Sequence, residues 1–104
     1  IMIKLIQNNI EVLKEICRKH SVTELYLFGS ALTNGFTEKS DLDFAYVMKE
    51  DLGPIEYGDA FFGLKEDLEN LFEREVDLVS YRRVKNPIFK AELERTKMSL
   101  YAAA

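Results

Sequence analysis

The feature that most constrains this chain is an alternation of two hydrophobic rhythms, one helical and one extended. Ile6, Ile10, Leu13 and Cys17 recur at steps of four, three and four within residues 6–19 and line one face of a helix. Glu11, Lys14, Glu15, Arg18 and Lys19 fill the other face. A spacer from His20 to Glu24 ends the pattern, and residues 25–28, Leu-Tyr-Leu-Phe, form a short apolar run rich in strand formers. Gly29-Ser30 follows at once and opens a short helix predicted over Ala31 to Asn34. Residues 42–48, Leu-Asp-Phe-Ala-Tyr-Val-Met, read as a second strand, and Gly53-Pro54 marks residues 49–54 as a loop. The helical period returns from Ile55 to Arg74, with Phe61, Leu64, Leu68 and Leu71 on one face. Residues 75–80 read as a third strand. Asn86-Pro87 then starts a last helix, Ile88 to Leu100, since proline suits the first helical turn. The closing Ala102-Ala103-Ala104 reads as a tail.

This order predicts an α/β (α+β) fold: a small mixed sheet of three or more strands flanked by helices, as one domain over residues 1–104. A hydrophobic fraction of 47% suits a packed core. The net charge of −4 argues against direct nucleic-acid binding through a broad basic face, yet leaves room for a small acidic pocket. The longest apolar runs fall far short of the ~18 residues of a membrane span. Cys17, the single cysteine, permits no intramolecular disulfide and reads as a buried small hydrophobe, which fits a reducing, cytoplasmic setting.

Chemistry concentrates on three carboxylates within apolar strands: Asp41 and Asp43 at the start of the second, and Asp77 in the third. Asp41 alone reads as a cap or turn residue. Side chains two apart on a strand share a face, so Asp41 and Asp43 are close enough to share a cation, and Asp77 joins them if the strands are neighbours. Clustered carboxylates repel unless a cation offsets their charge. Oxygen donors of this kind suit Mg2+ or Mn2+ rather than zinc, and two such ions can clamp both oxygens of an in-line phosphoryl displacement. Gly29-Ser30 precedes them at a strand end, where free backbone N–H groups can meet phosphate. Gly-Ser alone marks only a turn.

Together, Gly29-Ser30, ten intervening residues and Asp41-Leu42-Asp43 reproduce the G-S-x10-D-x-D signature of the DNA polymerase β-like nucleotidyltransferase superfamily. Leu27-Phe28 and Phe44-Ala45-Tyr46-Val47 supply its apolar flanks, and Glu75-Val76-Asp77-Leu78-Val79 resembles its later strand with the third acid. The tail from Tyr81-Arg82-Arg83 through Asn86-Pro87-Ile88-Phe89 is similar to the close of the minimal nucleotidyltransferases (MNT). The resemblance implies that Gly29 and Ser30 hold the triphosphate of ATP. It implies that Asp41, Asp43 and Asp77 bind two metal ions, with Asp77 helping to deprotonate an attacking hydroxyl. It also implies AMP transfer to a tyrosine of a separate HEPN-type toxin, the chain acting as antitoxin. Apolar helix faces left over from the core could serve partner docking or a homo-oligomer. One departure weakens triphosphate binding. Many MNT proteins carry arginines after Gly-Ser, where this chain has Ala31-Leu32-Thr33-Asn34-Gly35. Neutralisation by binding alone, or transfer to a small molecule, are the alternatives. Lys39, Arg82 and Arg83 are the basic candidates near the motif, each also readable as a solvated charge; His20 reads as a helix-end residue.

Overall fold

The computed structural model describes residues 2–33 and 35–103, with side chains described from residue 4 onward. Four α-helices, α1 (Met2–Asn8), α2 (Ile10–Lys19), α3 (Pro54–Phe72) and α4 (Pro87–Thr96), accompany four strands. The strands are β1 (Val22–Phe28), β2 (Leu42–Met48), β3 (Val76–Ser80) and β4 (Met98–Ala102). They form one mixed sheet in the order β3-β2-β1-β4. β1 runs antiparallel to β2 and β4, while β2 and β3 are parallel.

The alternation along β2 decides which face is core. Leu42, Phe44, Tyr46 and Met48 are buried in one cluster with Leu13 and Cys17 of α2 and Leu64, Leu68 and Phe72 of α3. Leu25 and Leu27 of β1, and Val76 of β3, lie on that same face through their register with β2. Asp43, Ala45 and Val47 therefore point the other way. There α4 packs, with Phe89 meeting Phe28 of β1 edge-on at 5.8 Å and Leu93 fully covered.

Three expectations need correction. The first helix, predicted over residues 6–19, is two helices broken at Asn9. The Asn9 side chain donates to the Leu5 carbonyl at 2.9 Å, and this local bonding competes with helical continuation. The first strand begins at Val22 rather than residue 25, because pairing with strands on both sides carries polar Thr23 and Glu24 into the sheet. The last helix stops at Thr96, and Met98–Ala102 forms an unforeseen strand, so Ala102 belongs to the sheet. Lys97 leaves helical geometry at φ −61°, ψ 145° while its N–H still caps Leu93. No glycine or proline marks that switch, and the partner strand lies some seventy residues earlier in the chain.

The long helix agrees with expectation. Gly53 caps it, the Glu56 carboxylate accepts the Gly53 N–H at 3.2 Å, and left-handed Glu73 (φ 53°) ends it. Asn86 likewise caps α4, accepting the N–H groups of Ile88 and Phe89. Among the described residues no helix is long and apolar enough to cross a membrane.

Candidate active site

The register places one row of side chains across the α4 face of the sheet. Phe28 of β1 pairs with Asp43 of β2, and Asp43 pairs with Asp77 of β3. Directly paired residues share a face, so the second and third strands bring these two acids together as neighbours. Asp43 is half-buried and Asp77 exposed. Burial first, then the charge of Asp77, a hydrogen bond shared with it, and the charge of Asp41 push the Asp43 carboxyl up to about 6. Hydrogen bonding to the Ser30 backbone pulls it the other way. Asp41 stands one residue before β2, exposed to solvent. Among the described residues, no three acidic, histidine or cysteine side chains close into a ready ligand cluster. Asp43 and Asp77 are therefore the tight pair, and Asp41 contributes charge from the strand's mouth.

The Gly-Ser turn abuts this pair. Residues Gly29–Leu32 form a single 3-10 turn directly after β1, starting two residues earlier than the predicted short helix. The predicted end of that helix, Asn34, lies outside the described residues. Gly29 adopts φ +79°, and a Cβ there would lie 3.1 Å from the Asp43 Cγ and overlap its carboxylate oxygen. Glycine is required twice over, by conformation and by the approach of Asp43. Ser30 is exposed, its carbonyl held by the Thr33 N–H and hydroxyl at 3.0 and 2.9 Å. An apolar groove of about 510 Å³ adjoins the turn, walled by Phe28, Leu32, Phe89 and Leu93.

The other candidates lie apart. Arg82 pairs with Glu50 at 3.4 Å and Arg83 stacks on Tyr57, both beyond the far end of β3 from Asp77. Lys39 is exposed in the loop before β2. His20 caps α2, and its ring meets Asp67 at 2.6 Å.

Sequence reasoning missed the groups that brace the acidic pair. Lys65 Nζ donates to the Val76 carbonyl at 2.6 Å and to Glu69 at 3.1 Å, while Glu69 accepts the Val76 N–H at 3.0 Å. β3 is an edge strand, so these α3 side chains satisfy backbone groups that would otherwise face water, immediately before Asp77. The Val76 N–H, then Lys65, hold the Glu69 carboxyl below its usual range. The i,i+4 spacing of Lys65 and Glu69 is visible in sequence, but their backbone target is not.

Residues 11–103 match the family model described as polymerase beta, nucleotidyltransferase, and the chain belongs to that family. A chain of Methanocaldococcus jannaschii named putative protein adenylyltransferase is 34% identical over 93 residues, covering 82% of this chain and 91% of that one. A solved structure described as a putative minimal nucleotidyltransferase superposes with a TM-score of 0.70 at 25% identity, covering 91% of this chain and 92% of that one. The fold is also that of a complex described as a tri-AMPylated Shewanella oneidensis HEPN toxin with its MNT antitoxin. That match has a TM-score of 0.63 at 22% identity, covering 93% of this chain and 72% of that chain.

Proposed function

We propose that this chain transfers AMP from ATP to a tyrosine hydroxyl of a separate HEPN-type protein, acting as that toxin's antitoxin. Asp41, Asp43 and Asp77 would hold Mg2+ or Mn2+, and Gly29 and Ser30 the triphosphate. The observation that carries the reading is the contact of Asp43 with Asp77 on one side and with Gly29 on the other. Two carboxyls that share a hydrogen bond, one of them packed against the Gly29 turn, are a poor arrangement for metal-free stability. They offer hard oxygen donors where a divalent cation would offset the repulsion. The M. jannaschii relative's name supports adenylyl transfer to protein, and the AMPylated toxin in the neighbouring complex supports the acceptor.

The acceptor oxygen attacks the α-phosphorus, the bond to the bridging oxygen breaks, and pyrophosphate departs. Asp77, at the exposed end of the row, takes the hydroxyl proton. The Gly29 turn and the exposed Ser30 hydroxyl orient the departing phosphates, while the Ser30 N–H serves Asp43. Divalent cations held by Asp41, Asp43 and Asp77 would supply neutralisation of the charge that develops on the transferring group.

The test is intact-mass analysis of a cognate HEPN protein incubated with this chain, ATP and Mg2+. The expected result is mass gains in multiples of one AMP on tyrosine, lost in Asp41→Asn/Asp43→Asn. No gain with folded, metal-supplied protein contradicts the reading. The arginine-poor segment 31–35 favours one second reading, neutralisation by binding alone. Neutralisation undiminished in the double variant selects it.

A further inference from the structure

Both peptide groups flanking Asp41 are tied to the segment that leads into β3. The Leu42 N–H donates to the Glu75 carbonyl at 3.0 Å. The Ser40 carbonyl accepts from Arg74 Nη1 at 3.2 Å, and the same nitrogen reaches the Thr37 carbonyl at 3.2 Å. The guanidinium lies over the Phe36 ring, 4.7 Å from its centroid. Arg74 Nε is buried without a hydrogen-bond partner, an unfavourable placement that the two carbonyl bonds and the ring must offset. Among the described residues no carboxylate pairs with Arg74, so its charge is spent on backbone carbonyls. The Asp41 side chain is exposed and, among the described residues, has no hydrogen-bond partner, so its backbone sets where the carboxylate starts from.

We propose that Arg74 is a positioning residue: by clamping the loop over residues 36–40 it holds Asp41 beside Asp43 and raises the affinity of the acidic site for a divalent cation. This rests on the reading of Asp41 and Asp43 as cation ligands. Groups that orient metal ligands without touching the metal commonly change affinity by 10–100-fold when removed. Lysine is no substitute, because its ammonium has no planar face to lay over Phe36 while its nitrogen meets the two carbonyls.

Mn2+ titration followed by electron paramagnetic resonance, without nucleotide, tests the idea in wild type, Arg74→Gln, Arg74→Lys, Asp41→Asn, Asp43→Asn and Arg74→Gln/Asp41→Asn. Thermal unfolding in EDTA runs alongside. The expected result is Mn2+ binding weakened about tenfold in both Arg74 variants. The double variant should bind no more weakly than Asp41→Asn, because Arg74 acts through Asp41. Wild-type affinity in folded Arg74→Gln overturns the proposal. So does a full tenfold further loss when Arg74→Gln is added to Asp41→Asn. If Asp41→Asn and Asp43→Asn bind Mn2+ as wild type does, the cation reading itself falls and takes the proposal with it. Should Arg74→Gln fail to fold, Phe36→Leu removes only the ring stack. It should weaken binding about 2–5-fold, the worth of one cation–π contact, and unchanged binding overturns the proposal.

Discussion

Replacing Asp43 with asparagine should stabilise the metal-free protein while removing its activity. The folded chain holds the Asp43 proton up to about pH 6, whereas the unfolded chain releases it near 3.8. Between those values the folded state binds more protons, so stability falls as pH rises through that window and stays lower above it. A shift of this size corresponds to about 3 kcal/mol if fully felt. Screening at a half-exposed site reduces it to roughly 1 kcal/mol. Asparagine cannot ionise, and its amide can still donate to Asp77. Asp43→Asn should therefore melt about 4–8 °C above wild type at pH 8 in EDTA, with the gap closing near pH 4. Circular dichroism melts at pH 4, 6 and 8 read this directly. A variant no more stable at pH 8, or a gap that persists unchanged at pH 4, would refute the electrostatic reasoning.

Two glycines in α3 should respond to alanine in opposite senses. At Gly63 a Cβ would lie 2.5 Å from His20 Cε1, so Gly63→Ala should cost about 1–3 kcal/mol in urea unfolding. At Gly58 nothing lies within 4 Å, so Gly58→Ala should gain about 0.5–1 kcal/mol; equal effects would contradict the packing described. Gly29→Ala should lower AMP transfer about 100-fold, the scale of a 1 Å misplacement, with the Asp43 carboxyl displaced; near-normal turnover would break the link between turn and acid. Cys17 is fully buried and its thiol is pushed up to about 12, chiefly by burial, so it should resist a thiol reagent until the protein unfolds. Rapid labelling of the native chain would count against this core.

Much of the acidic row was legible because its signal is local. An apolar strand interrupted by a carboxylate, as at Asp43 and Asp77, is costly unless the acid has a task, and period-two alternation predicts its face. The parallel pairing of β2 with β3, which makes the two acids neighbours, has no signature in the residues near them, and only the family resemblance joins Asp77 to the other acids. β4 was hidden because Leu93 and Leu100, seven residues apart, share a helical face, and only β1 gives Met98–Ala102 a partner. Arg74, Lys65 and Glu69 escaped notice for a related reason. Each acts on backbone carbonyls or amides, which carry no side-chain signature. Asn9 is a milder case, an ordinary helix-surface residue by spacing whose own side chain stops the helix.

The most direct test of the central claim is a crystal of this chain soaked with Mn2+ and a non-hydrolysable ATP analogue, read by anomalous scattering. The account predicts manganese peaks in contact with the Asp43 and Asp77 carboxylates, the Asp41 carboxylate turned toward them, and the triphosphate against the Gly29 turn and the Ser30 hydroxyl. Manganese or nucleotide bound elsewhere, with the Asp43–Asp77 hydrogen bond intact and unliganded, would contradict it.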